Sequence, residues 1–218
     1  MIEIDFIICA LDIEYRGIIK HFTVEYENIL NDAWEYACCN NGRLLIVKSG
    51  IGKEAARQCT EYIINELNPS SIISAGIAGA ISLELNIGDI VISNEIIDYR
   101  ENQTPIEISA QSIFIPSRLQ ESLYTRKMIC VDDIVNDSSK KKKLFDEYGA
   151  LCVEMESAGI IKECNKHNIP FAAVKIINDH ADGRAIISMM KAQQKVTDKL
   201  GQFLSEILKQ KITGEDAI

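Results

Sequence analysis

The stretch Pro170-Phe-Ala-Ala-Val-Lys-Ile-Ile-Asn-Asp-His-Ala-Asp182 decides how this chain is read. From Phe171 to Ile177 it is apolar but for Lys175, and it stops abruptly at Asn178-Asp179. A short, unbroken apolar run between a proline and a polar cluster reads as a strand buried on both faces. Such strands sit in sheets with helices on both sides.

Working outward, the same alternation recurs. Before the strand lies a helical pattern from about Ser157 to His167, preceded by a strand at Ala150–Val153 and a helix at 138–147. Lys127–Val131 reads as a further strand. After it, a polar loop at 178–183 leads into a long helix over roughly 184–210. The chain opens with a buried strand, Ile4–Ala10, and a helix from Asp12, an N-cap residue, to about Phe22. Trp34–Cys39 and Leu44–Lys48 flank Asn40-Asn-Gly42, a hairpin signal. Ala56, Cys59, Ile63 and Leu67 recur at helical spacing over 53–67, and Asn68-Pro69 ends that helix. Strands follow at Ser71–Ala75 and Ile90–Ser93, with more at 95–98. A strand at 111–115 and a short helix from Pro116 complete the expectation. The fold class is α/β, a three-layer αβα sandwich around a central mixed, largely parallel sheet. With 218 residues and no linker or repeat, it is expected to be one domain over 1–218.

Charge narrows the function. A net charge of −9 lacks the basic footprint that nucleic acid requires. The one basic run, Lys140–Lys143, reads as a solvated helix start or loop. Seven cysteines, none in C-x-x-C spacing and several in apolar runs, indicate free buried thiols in a reducing compartment. His21, His167 and His180 have no Cys or His at metal-ligand spacing, so no metal is expected. There is no basic leader, and no apolar stretch approaches the ~20 residues that span a bilayer. The expectation is a soluble cytoplasmic protein without cofactor.

In this architecture ligands bind beyond the carboxyl ends of the strands. That rule selects Asp12 and Glu14, Ser49–Lys53, Gly76–Gly79, Val131–Asp133, Glu154–Glu156 and Asn178–Asp182. Ser49-Gly-Ile-Gly-Lys53 is either a structural turn or a set of amides that binds an anion at a helix N-terminus. Gly76-Ile-Ala-Gly79 admits either a ligand or tight packing. If Val153 and Met155 share one face of a strand, Glu154 and Glu156 share the other. Two adjacent carboxylates repel, and each can accept two hydroxyls of a diol. Glu156 in a first helical turn is the plainer alternative. Asn178-Asp179 is a turn or N-cap, or Asp179 is a general acid.

Taken in order, A-L-D-I-E (10–14), S-G-I-G-K-E-A-A (49–56), A-G-I-A-G-A (75–80), N-I-G-D-I-V-I-S (86–93), V-E-M-E-S-A (153–158) and the stretch quoted first resemble the purine nucleoside phosphorylase and nucleosidase family. The chain resembles methylthioadenosine/S-adenosylhomocysteine nucleosidases. It resembles hopanoid-associated nucleoside phosphorylases through V-D-D-I-V (131–135), K-K-L-F-D-E-Y-G-A (142–150) and I-I-N-D-H-A-D-G-R-A (176–185). The resemblance implies an enzyme that cleaves the N-glycosidic bond of a purine nucleoside, adenine with a 5′-modified ribose. It implies that Asp179 protonates the purine, Glu156 holds the ribose hydroxyls, Met155 packs under the sugar and Glu14 positions the attacking water. Backbone at Ala78 and Gly79 would line the nucleophile side and Val131 would frame the base, with Glu154 and Asn178 as further substrate contacts. A homodimer is also implied.

Two positions depart from the nucleosidase pattern: Ile77 replaces the usual serine and Lys175 the usual arginine. Water or phosphate is therefore the co-substrate. Glu14 repels phosphate and favours hydrolysis, whereas Ser49–Lys53 and Lys175 keep phosphorolysis open. An inert nucleoside-binding member of the fold is the third reading. A purine leaves readily only when protonated, and the ribose then gains oxocarbenium character. Keeping Asp179 protonated near neutral pH raises its pKa by roughly three units from about 3.9, or ~4 kcal/mol.

Overall fold

The computed structural model describes residues 3–101, 105–108, 123–182 and 185–213. The first half forms β1 (Asp5–Cys9), α1 (Asp12–Ile19), β2 (Val24–Leu30), β3 (Trp34–Cys39), β4 (Leu44–Lys48), α2 (Lys53–Leu67), β5 (Ser71–Ala80) and β6 (Ile90–Asp98). The second forms β7 (Pro105–Glu107), β8 (Leu123–Cys130), α3 (Ser138–Tyr148), β9 (Cys152–Glu154), α4 (Ser157–His167), β10 (Phe171–Asp179) and α5 (Ala185–Thr213).

Continuous apolar strands supply two cores at once. Phe6 and Ile8 of β1 enter one core, Ile7 and Cys9 the other. The first is covered by α2 and α4 through Ala56, Cys59, Ile63, Ala158, Ile161 and Cys164. The second is covered by α1 and α5 through Tyr15, Ile18, Val196, Leu200 and Leu204. A third cluster joins Leu144 of α3 to Val131, Val135, Val153 and Ala181. The mixed sheet flanked by helices is as the sequence predicts, and all seven cysteines are free and buried. No helix among the described residues is long and apolar enough to cross a membrane.

Sheet closure was not foreseen. The order β2–β3–β4–β1–β5 is open, but β5 then pairs with both β9 and β10. The path β5–β10–β6–β8–β9 returns to β5 and closes a five-stranded ring. The length of β5 makes this possible. Its first residues, Ser71–Ser74, pair with β1, and its last, Gly79 and Ala80, pair with β9.

Other differences from expectation have local causes. β2 was missed because six of its seven residues are exposed, so it carries no buried alternation. β5 extends five residues past Ala75, through the small Gly76–Ala80 run. Leu11, not Asp12, occupies the N-cap position of α1, which ends at Ile19. β9 ends at Glu154, so the alternation expected to extend through Glu156 stops. The expected strand at 111–115 and the helix from Pro116 lie outside the described residues.

Candidate active site

A cavity of about 310 Å³ opens at the carboxyl ends of β1, β5, β9 and β10. It is lined by Ala10, Leu11 and Glu14 beyond β1, Ile77, Ala78 and Gly79 in β5, Val153–Glu156, and Asp179. Val131, Ile134 and Val135 after β8, Ile51 after β4 and Gln193 of α5 complete it. Of the residues singled out from sequence, Glu14, Ala78, Gly79, Val131, Glu154, Met155, Glu156 and Asp179 converge here. Asn178 is not among the lining residues.

Glu14 sits where β1 and β5 separate. Its Oε2 accepts the N–H groups of Ala10 (2.9 Å) and Leu11 (2.8 Å), and Oε1 accepts that of Ile77 (2.7 Å). The bond to Leu11 caps the start of α1, which Leu11 itself cannot do. Burial raises the Glu14 pKa, opposed by Lys175 and these three donors. Gly76 makes the arrangement possible, because a Cβ there would lie 2.5 Å from Glu14 Oε1. The glycine loop thus admits a catalytic candidate rather than only a ligand.

Glu154 and Glu156 have unlike surroundings. Glu154 accepts the N–H of Glu156 (3.1 Å), the N–H and Oγ–H of Ser157 (2.9 Å each) and the Lys175 ammonium (3.1 Å). Burial alone would raise its pKa, but Lys175 and these donors hold it below the usual range. Lys175 is itself fully buried, yet Glu154, Glu156 and Glu14 together keep it charged. Glu156 occupies the N-cap position of α4 without capping that helix. Its Oε1 instead accepts the N–H of Gly52 at 2.8 Å. The Ser49–Lys53 turn therefore does bind an anion, and the anion is a side chain of this protein. Burial, reinforced by Glu154 and Glu14 and opposed by Lys175, pushes Glu156 up to about 7.

Asp179 ends β10, and its Oδ1 accepts the N–H of Ala181 at 2.7 Å. Burial raises its pKa, opposed by that hydrogen bond. Gly79 of β5 is in register with Val153 on one side and Asp179 on the other. One backbone position thus spaces the strand that leads to Glu154 and Glu156 from the strand that ends in Asp179. A Cβ on Gly79 would sit 3.1 Å from both Asp179 Oδ1 and Ala181 Cβ. Asn178 is fully buried, and neither amide atom has a hydrogen bond of normal geometry among the described residues.

Four carboxylates line the cavity, and no lysine or arginine is among its described lining residues. Lys175 lies behind the wall against Glu154, and other cations face elsewhere: Lys53 to Asp98 at 2.7 Å, Arg100 to Asp132 at 2.7 Å, and Arg16 to Glu27 and Glu35. Sequence reasoning did not select Gln193, and it held Ile51 and Ile134 only inside the segments Ser49–Lys53 and 131–135, not as apolar walls of the cavity. Ile51 and Ile134 are 61% and 58% exposed, and exposed apolar residues carry no periodic signal. Gln193 lies in a long helix with nothing local to distinguish it.

A family model described as the phosphorylase superfamily matches residues 6–209. A 5′-methylthioadenosine/S-adenosylhomocysteine nucleosidase of Staphylococcus aureus (strain bovine RF122 / ET3-1) is 28% identical over 186 residues, covering 77% of this chain and 82% of the relative. The protein of the same name from Staphylococcus epidermidis is 27% identical over 168 residues, covering 68% and 74%. Among solved structures, the Helicobacter pylori 5′-methylthioadenosine/S-adenosylhomocysteine nucleosidase with butyl-thio-DADMe-Immucillin-A matches with a TM-score of 0.85 at 21% identity, over 96% of this chain and 99% of that one. The futalosine hydrolase of Helicobacter pylori matches with a TM-score of 0.81 at 22% identity, over 96% and 99%. At these identities the structural matches establish the fold.

Proposed function

The chain belongs to the phosphorylase superfamily, and from that premise we propose that it hydrolyses the N-glycosidic bond of an adenine nucleoside with a modified 5′ carbon. The names of the sequence relatives support the substrate class. The observation that carries the chemistry is one cavity holding a buried aspartic acid, two carboxylates with raised pKa values and no lining cation among the described residues.

Each group has a role. Asp179 is the general acid: its raised pKa keeps a proton available for the departing purine. Oδ1 is held by Ala181, so Oδ2 carries that proton. Glu156, with Oε1 fixed by Gly52, offers Oε2 to the ribose hydroxyls. Its negative charge grows in value as the ribose becomes cationic. Glu14 uses three of its roughly four lone-pair sites on backbone N–H groups, which leaves one for the attacking water. Among the described lining residues phosphate would face four carboxylates and no lysine or arginine, and the nearest ammonium, Lys175, is already paired with Glu154, which favours water as the nucleophile. On the family resemblance, the protein acts as a cytoplasmic homodimer.

The test is release of free base from 5′-methylthioadenosine without phosphate. Wild type should release adenine and free methylthioribose. Asp179→Asn should lower kcat by about 10²-fold or more with an unchanged melting curve. Strict phosphate dependence with a ribose-1-phosphate-type product would overturn the choice of water. Near-normal turnover by Asp179→Asn would remove the acid role.

A further inference from the structure

The basic run Lys140–Lys143 has no part in the chemistry above, and its members differ. Lys142 and Lys143 are exposed, and Lys142 pairs with Asp146 one turn on. Lys141 is part-buried, and its Nζ donates to the backbone carbonyl of His180 at 2.7 Å. The next atoms in that peptide group are the nitrogen and hydrogen of Ala181, and this N–H donates to Asp179 Oδ1 at 2.7 Å. One planar peptide unit therefore accepts from an ammonium at its oxygen and donates to the acid at its nitrogen.

We propose that Lys141 is a positioning residue for Asp179, acting through the His180–Ala181 peptide group. A cation on the carbonyl polarises the amide and strengthens its N–H as a donor. Oδ1 is thereby tied down, and Oδ2 is left to carry the proton. The surroundings show why a tether is needed. Ala181 has φ +49°, a left-handed conformation that a residue with a side chain adopts reluctantly. It is fully buried against Val135 and Leu144, and Gly79 leaves no spare room beneath it. Lys141 lies on the same helix as Leu144, so α3 holds this loop by both charge and packing.

The groups that act on Asp179 are the Ala181 N–H, the Asn178 side chain, His180 and Asp182; Lys141 on α3 reaches it through the His180 carbonyl, and Glu14, Glu154 and Glu156 line the same cavity with Lys175 against Glu154. Removing Lys141 weakens a donor to the carboxylate form, so Asp179 should hold its proton to higher pH.

The inference rests on the acid role given to Asp179, and its test is independent of turnover. Carbon-13 NMR titration of the Asp179 carboxyl is compared in ligand-free wild type, Lys141→Met and Lys141→Arg. The Lys141→Met midpoint should rise by about half a pH unit or more, and Lys141→Arg should return it toward wild type. With 5′-methylthioadenosine, Lys141→Met should lower kcat about tenfold while KM changes less than about threefold. Lys141→Gln replaces Lys141→Met if that variant does not fold. An unmoved midpoint, or a kcat loss that Lys141→Arg does not recover, overturns the proposal. A moved midpoint in a protein that releases no base leaves the tether standing and removes the nucleosidase reading instead.

Discussion

Glu154 and Glu156 are two residues apart and differ in nearly every physical respect. Glu154 receives hydrogen bonds from Glu156 N, Ser157 N and Oγ, and the Lys175 ammonium. Among the described residues Glu156 receives a hydrogen bond from Gly52 N, and it lines the cavity with its remaining capacity. The first is held ionised below the usual range, and the second is pushed up to about 7. The lesson is that a carboxylate pair in sequence need not be a pair in function. One builds the wall and the other is left unsatisfied for a ligand.

The largest expected effect breaks the comparison on the Glu154 side. Glu154→Ala strands the buried Lys175 ammonium and should cost about 3–5 kcal/mol of unfolding free energy, measured by urea denaturation. A loss under 1 kcal/mol would show that Lys175 has another adequate partner. Next comes Glu156→Gln, which removes a charge from the proposed diol-binding group. It should lower kcat/KM by about 10²-fold, in line with the 1.5–3 kcal/mol of a charged hydrogen bond, and leave the melting curve unchanged or raised. Equal stability losses in the two variants would erase the distinction.

The last comparison is a pH dependence of opposite sign at the two residues. Glu156 has a folded pKa of about 7, above its unfolded value near 4.3. Its stabilising contribution is complete below the unfolded value and is lost as pH rises toward 7. The melting temperature of wild type relative to Glu156→Gln should therefore fall over that window. The Glu154 pKa is depressed, so its contribution is present above the unfolded value and is lost only as pH falls through the lower, folded value. A wild-type minus Glu156→Gln difference that stays flat with pH would contradict the raised pKa.

Much of this was legible beforehand because the signals were local. α2 and α4 match their expected ranges, since apolar spacing and stop residues such as Asn68-Pro69 mark them in sequence. Strand ends named the residues of the site because the carboxyl-end rule depends only on element order. What was hidden depends on neighbours distant in sequence. Glu154 looked like a ligand residue until Lys175, 21 positions on, was seen against it at 3.1 Å. Asn178 was expected to be a further substrate contact beside Asp179, but the register of β10 shifts between Ile177 and Asp179, and only Asp179 lines the cavity. Ring closure was invisible because the strand expected at Ala150–Val153 is only three residues long as β9, and nothing local tells which strands it joins.

The shared register at Gly79 has an evolutionary consequence. Asp179, the proposed acid at the end of β10, and Val153, just before the proposed diol-binding Glu156, are both in register with the same residue of β5. Substitutions at Ile51, Ile134 or Gln193 alter other parts of the wall and leave that spacing intact. Descendants of such a scaffold are free to change what the nucleoside carries while inheriting the bond-breaking geometry unaltered.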